Sequence, residues 1–350
     1  MKAHYYQYVL QFKRPSGTSR GVLTQKETWF IVLESNGKWG IGECGLLRGL
    51  SIDDKPDYES TLAWTCAHID RGIPKLLKDL EAYPSIQFGL EQAARSLNAK
   101  DPHKLFSSPF TEEERPIVIN GLVWMGNEDF MLTQIEQHLT KGFSCIKLKI
   151  GAIAFEKELA LLRFIRQQFP KEVIEIRVDA NGAFKPKEAL DKLQRLAEYE
   201  LHSIEQPIMP KNWEIMAQLC SNGPLPIALD EELIGIVDLS EKQQLLKTIN
   251  PQYVILKPSL IGGYKGSEEW IALAEAQGIG WWVTSALESN IGLNAIAQWA
   301  ATLDNSMPQG LGTGSLFTNN IPSPLEVDAG QLFYRKHLSW PQRIIAQLCT

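Results

Sequence analysis

The sequence predicts an α/β protein in which an N-terminal α+β unit precedes a (β/α) barrel. Three observations carry this. From Ile117 onward, eight strand-like runs recur about every 25–30 residues, with amphipathic helical stretches between most of them. Five of these runs end in charged residues at the same edge: Lys147 and Lys149, Asp179, Glu205, Asp230 and Lys257. No G-x-G-x-x-G fingerprint opens the alternating region, which disfavours an open doubly wound sheet.

Before Ile117 the texture differs. His4–Phe12 and Thr28–Glu34, rich in aromatic and β-branched residues, read as strands. The polar Lys13–Arg20 segment, with Pro15, Ser16 and Gly17, reads as a mobile loop. Asn36-Gly37 is a hairpin-turn dipeptide and Trp39–Glu43 the returning strand, followed by a second loop at Gly45–Gly49. Tyr58–Leu80 and Ser85–Leu97 carry helical periodicity, with Pro84 as the break. The barrel strands are Ile117–Val123, Cys145–Ile150, Ile174–Asp179, Leu201–Glu205, Pro226–Asp230, Tyr253–Lys257, Gly280–Thr284 and, weakly, Pro308–Leu311. Phe155–Phe169 and Lys187–Tyr199 are helices between them. In the tail beyond Pro322, Asp328-Ala329-Gly330 reads as a turn between two short strands that return to the N-terminal unit.

Bulk properties narrow the function classes. A chain of 350 residues supports a sizeable core and, as a soft prior, two domains. Its 44% hydrophobic and 22% charged residues are ordinary soluble globular composition. The net charge of −6, without a basic run, gives no attraction to nucleic acid or an anionic membrane. No apolar stretch is long enough to span a bilayer, and the first residues lack a signal-peptide core. Cys44, Cys66, Cys145, Cys220 and Cys349 are scattered without a C-x-x-C, so neither a disulfide framework nor a zinc cluster is suggested. A cytoplasmic protein with free thiols is the expectation.

Strand parity then picks out a site. Taken alone, Lys147-Leu148-Lys149 is an amphipathic edge strand with its lysines in water. Barrel strands, however, are buried on both faces. Apolar residues such as Ile176, Val178, Ile204, Leu229 and Leu256 suit the helix side, which turns the charges inward at the C-terminal mouth. The second and sixth strands face each other across the barrel, so lysines stand on opposite walls with Asp179, Glu205 and Asp230 between them. Three carboxylates so placed repel unless a cation joins them, and all-oxygen ligation suits Mg²⁺ or Mn²⁺. The alternative is a salt-bridge network filling the mouth, at the cost of burying ions. A divalent cation flanked by lysines suits removal of a proton next to a carboxylate. Lys147 beside Lys149, with a cation nearby, disfavours the ammonium and lowers its pKa.

The motifs Lys147-Leu148-Lys149, Asp179-Ala180-Asn181-Gly182, Glu205-Gln206-Pro207, Asp230-Glu231 and Lys257-Pro258 together resemble the enolase superfamily, in its muconate lactonising subgroup. The resemblance covers essentially the whole chain. It implies a (β/α)7β modified TIM barrel at residues 116–319, with an α+β capping domain at residues 1–115 completed by residues 320–350. It also implies Lys149 as the base, Lys147 as its support, and Asp179, Glu205 and Asp230 as ligands of Mg²⁺, with Mn²⁺ as a substitute.

Within the subgroup, Ser285-Ala286-Leu287-Glu288-Ser289-Asn290-Ile291-Gly292-Leu293 is similar to the S-x-x-E-S-x-x-G-L segment of the o-succinylbenzoate synthases. There, main-chain amides and Ser285 would bind the succinyl side of the substrate, with Ser289 as a further candidate; Ser289 alone also suits a helix N-cap. No His ends the seventh strand, which argues against branches with a His base. The Asp-x-Asp of the dipeptide epimerases is missing from Gln309–Gly314, and Gly312 falls where some synthases carry Asp. The resemblance thus implies dehydration of 2-succinyl-6-hydroxy-2,4-cyclohexadiene-1-carboxylate to o-succinylbenzoate, in menaquinone biosynthesis. Lys149 would take the proton and help hydroxide leave, while Lys257 stays cationic beside the ring. Arg177 and Asn181 are further substrate-binding candidates and Glu231 a support, a structural ion pair being the other reading of Arg177. Lys13–Arg20 and Gly45–Gly49 are candidate lids. An N-acylamino acid racemase with Lys149 and Lys257 as opposed bases, a dipeptide epimerase and a non-catalytic metal-binding barrel are the alternatives. The partner expected is a small carboxylate, with no nucleic acid or membrane; oligomeric state is left open.

Overall fold

The structure, a computed structural model, describes residues 1–18, 21–342 and 344–345. Ser19 and Arg20 of the expected loop, and Cys349, lie outside the described residues. The chain opens with an antiparallel meander of β1 (Lys2–Thr18), β2 (Gly21–Ser35) and β3 (Lys38–Cys44). Asn36 and Gly37 take φ of 51° and 74°, the left-handed pair a tight hairpin turn requires.

The loop expected from Lys13 is instead strand as far as Thr18, continuing β1 past a register shift between Gln11 and Ser16. Ser16–Thr18 pair with Gly21–Leu23 of β2, and further partners lie far away in sequence. The Lys13 amide donates to the Leu316 carbonyl (2.8 Å) and the Met125 amide to that of Gly17 (3.3 Å), while the Phe12 and Phe317 rings meet edge to face at 4.7 Å. Local composition carries no trace of such pairings.

Helices α1 (Tyr58–Ala67), α2 (Ile73–Asp79) and α3 (Pro84–Asn98) cover one face of the meander. The single helical stretch expected over Tyr58–Leu80 is broken by a 3₁₀ turn at Ile69–Arg71 and by Gly72, whose φ of 87° no helix continues. Pro84 starts α3, where its missing N–H costs nothing. Gly42 of β3 and Gly89 of α3 let the two backbones touch, since a Cβ on Gly42 would run into the Gly89 carbonyl. A short α4 (Pro109–Glu112) leads to the barrel.

The first barrel run divides: β4 (Ile117–Val118) and β5 (Gly121–Val123) are separate strands. Alternation then proceeds through α5 (Glu128–Thr140), β6 (Cys145–Lys149), α6 (Phe155–Gln168), β7 (Glu175–Asp179), α7 (Pro186–Ala197), β8 (Ser203–Glu205), α8 (Trp213–Asn222), β9 (Ile227–Leu229), α9 (Leu239–Ile249), β10 (Tyr253–Leu256), α10 (Gly263–Glu275), β11 (Gly280–Val283) and α11 (Asn290–Ala300). Strands β5 to β11 form one parallel sheet in chain order. The weak eighth run is no strand of its own; Gln309 and Gly310 close the ring by single bridges to Ile119 and Thr284.

Parity holds throughout. Ile146, Leu148, Val178, Ile204, Leu229 and Leu256 join the core under the helices, while Ala228, Ile255 and Trp282 plug the barrel interior. The tail supplies β12 (Leu325–Asp328) and β13 (Gln331–Tyr334), turning at Ala329 and Gly330, and β13 pairs with β4. Ile321 and Ile344 pack on Phe30 and Val32 of β2, so the tail does return to the N-terminal sheet.

Candidate active site

A cavity of about 830 Å³ lies between residues 13–16 and 21–23 of the first two strands, residues 47–50 and the C-terminal mouth of the barrel. Lys147, Lys149 and Lys257 reach it from the barrel, Trp124 and Phe130 from the first β/α unit, and Ser285 and Leu287 from the segment after β11. Both expected lid segments line it in their described parts, with Lys13, Arg14 and Arg48 adding positive charge.

The three lysines are each less than a tenth exposed, and the three carboxylates are essentially buried. They interleave. Lys147 Nζ donates to Asp179 Oδ2 (3.0 Å) and Glu205 Oε2 (2.5 Å). Lys149 Nζ donates to the same Asp179 oxygen (2.5 Å) and to Asn181 Oδ1 (2.9 Å). From the far wall, Lys257 Nζ donates to Asp230 and lies 3.8 Å from Glu205 Oε1. Glu205 thus stands between the two walls, as strand order requires.

Charge decides the titration of each group. Burial works against the Lys147 ammonium, but Asp179 and Glu205 outweigh it and lift its pKa. Lys257 is likewise raised, with Asp230 and Glu205 overcoming burial. Asp179 is held well below the usual carboxylate range because three lysines outweigh its burial, and Asp230 is lowered mainly by Lys257. Glu205 goes the other way: burial, then repulsion from Asp179 and Asp230, push it well up. Its Oε1 is buried without a hydrogen-bond donor. Among the described residues no three Asp, Glu, His or Cys side chains converge into a ready-made metal cage, because lysine ammonium groups lie between the carboxylates.

A family model described as "Enolase C-terminal domain-like" matches residues 131–335. The chain belongs to the enolase superfamily. It is 47% identical to the o-succinylbenzoate synthase of Desulfotalea psychrophila, over 95% of this chain and 98% of that protein. The crystal structure of MenC from the same organism superposes with a TM-score of 0.85 at 44% identity, over 95% of this chain and 99% of that one. A dipeptide epimerase from Enterococcus faecalis, solved with Mg and the dipeptide L-Leu-L-Tyr, has a TM-score of 0.83 at 19% identity, covering 97% of this chain and 98% of that one. That likeness is one of fold.

The enolase-superfamily motifs read from sequence sit together at one mouth, but not every candidate faces the cavity. Asn181, in left-handed backbone (φ 45°), accepts from Lys149 and donates to Glu231 Oε1 (2.9 Å), so it links Lys149 to Glu231 behind the cavity wall. Ser285 faces the cavity, its hydroxyl sharing a hydrogen bond with Thr313 Oγ1 at 2.6 Å. Ser289 does not. It caps α11 and bonds Glu43, fully buried. Arg177 lies one layer below, stacked 4.1 Å over Trp282 and bonded to Glu175 (2.7 Å) and the Pro308 carbonyl (2.9 Å), so its ion-pair reading fits and a substrate contact does not. Trp124, Phe130 and Thr313 were missed, since single aromatics and hydroxyls carry no periodic signal.

Of the cysteines, Cys44, Cys66, Cys145 and Cys220 are free. No helix among the described residues is long and apolar enough to cross a membrane.

Proposed function

We propose that this chain is an o-succinylbenzoate synthase, carrying out the syn-dehydration of 2-succinyl-6-hydroxy-2,4-cyclohexadiene-1-carboxylate in menaquinone biosynthesis. The 47% identity over nearly the full length of a synthase carries this reading. Asp179, Glu205 and Asp230 would hold Mg²⁺, with Mn²⁺ as a substitute. The fit rests on an all-oxygen donor set and on Glu205 Oε1, a buried oxygen without a donor beside two further carboxylates. Such an ion supplies positive charge next to the substrate carboxylate, where deprotonation builds negative charge.

The protein's own groups do the proton work. Lys149 takes the proton α to the carboxylate and then returns a proton to the departing hydroxyl on the same face, so water leaves and the ring becomes aromatic. Asn181 Oδ1 and Asp179 Oδ2 fix the Lys149 amine. Lys147, held charged by its carboxylates, balances the site. Lys257 faces the substrate from the other wall as a permanent cation, able to lie against the ring. Ser285 and neighbouring main-chain amides meet the succinyl side. The enzyme works on a small carboxylate in the cytoplasm, with neither nucleic acid nor membrane as partner.

Racemisation of N-acylamino acids or epimerisation of dipeptides is a second reading, favoured by one observation: Lys149 and Lys257 line the same cavity from opposite walls. Incubation with Mg²⁺ and the cyclohexadiene substrate should give the aromatic product, and chelation should stop it. Folded, Mg²⁺-bound protein that forms no product, yet racemises an enantiopure N-acylamino acid or epimerises a dipeptide, would reverse the order of the readings. Protein inert to all of them, and unfolding when Mg²⁺ is removed, would be a non-catalytic metal-binding barrel.

A further inference from the structure

Two glutamates of the N-terminal unit occupy the N-termini of consecutive barrel helices, where unsatisfied amides and the helix dipole favour a carboxylate. Glu91 of α3 accepts from the amides of Tyr264 (2.6 Å) and Lys265 (3.3 Å) at the start of α10. Glu43, in β3, does the same for α11. Its Oε2 accepts from the Gly292 amide (2.9 Å) and Ser289 Oγ (2.5 Å), and its Oε1 from the Ser289 amide (2.9 Å) and Thr28 Oγ1 (2.8 Å). Four donors surround a carboxylate with no exposure at all.

The surroundings are shaped for this contact. A Cβ on Gly292 would stand 2.9 Å from Glu43 Oε2, and one on Gly45 would stand 3.0 Å from Glu288 Cγ. Lys26 of β2, also buried, is the largest charge offsetting the burial of Glu288, whose other partner is the Ser259 hydroxyl. Three residues of the N-terminal sheet (Lys26, Thr28 and Glu43) therefore meet the segment after β11 in a buried charged joint.

The two joints differ in what they hold. The start of α10 lies away from the cavity, whereas Thr284, Ser285, Ala286 and Leu287 form one of its walls and run directly into α11. We propose that Glu43 is a positioning residue, fixing segment 285–289 against the N-terminal sheet so that the far side of the substrate meets a preset wall. The inference rests on the dehydratase reading for its substrate, but not for its geometry.

The test compares Glu43→Gln, Thr28→Val and Glu91→Gln with the unaltered protein by steady-state kinetics and by hydrogen exchange. Loss of charged hydrogen bonds at Glu43 is expected to raise KM about tenfold, with kcat changed less than about threefold. Thr28→Val, a milder lesion that decides the matter if Glu43→Gln does not fold, is expected to shift KM in the same direction. Glu91→Gln should leave KM alone. Exchange should speed at residues 284–292 in Glu43→Gln and at the start of α10 in Glu91→Gln, each without the other. Unaltered KM in folded Glu43→Gln and Thr28→Val, an equal rise in Glu91→Gln, or unaltered exchange at 284–292 overturns the proposal. Unaltered protein that shows no dehydration, while its variants show the expected exchange pattern, counts against the dehydratase reading alone.

Discussion

Glu205 is the residue on which the metal reading turns. A carboxylate wedged between two others, with one oxygen lacking a donor, is costly to keep ionised without a cation. Glu205→Gln should keep the fold and lower Mg²⁺ affinity by roughly 10- to 100-fold or more, since even outer partners of a ligand cost that much; titration calorimetry measures it. An unchanged affinity would remove Glu205 from the ligand set. At this scale the sequence was legible through parity, which turned Lys147, Lys149, Asp179, Glu205, Asp230 and Lys257 to one mouth. Parity gives direction and not depth. Arg177 shares the inward face with Asp179 but lies two residues lower, against Trp282. Ser289 lies four residues past Ser285, with its hydroxyl spent on Glu43.

Elements explain how the N-terminal unit and the barrel are fitted together. Burial raises Glu91 to about 7, against the pull of the Tyr264 and Lys265 amides. The folded state therefore holds this proton more tightly than the unfolded chain, so its stabilising contribution is complete below about pH 4.5 and is lost as pH rises through about 7. Urea unfolding of the wild type beside Glu91→Gln should show the wild type losing about 3 kcal/mol relative to the variant over that window. A pH-independent difference would mean that Glu91 titrates normally. Packing makes a second prediction: Gly42→Ala forces β3 away from Gly89 of α3 and should cost about 1–3 kcal/mol in the same assay. The hairpin turn at Asn36-Gly37 was readable because two residues determine it. The strand character of Lys13–Thr18 was not, because Pro15 and Gly17 read locally as loop, while Ser16–Thr18 pair with β2 and Lys13 and Gly17 are also tied to Leu316 and Met125.

For the whole molecule, the β/α rhythm was the strongest signal, and it held because each parallel strand must bury both faces. Closure of the ring was the weakest. It depends on single bridges at Gln309 and Gly310, too short a pairing to leave a pattern in the sequence. We propose that the barrel mouth and residues 13–16 and 47–50 over it form one chamber in which Lys149 removes the proton. The direct measurement is the time course of aromatic product in Mg²⁺ for the wild type beside Lys149→Ala. The wild type should dehydrate the cyclohexadiene substrate, and the variant should be roughly 10²- to 10⁴-fold slower while binding o-succinylbenzoate as well as before. Turnover by Lys149→Ala within a few-fold of wild type would contradict the account.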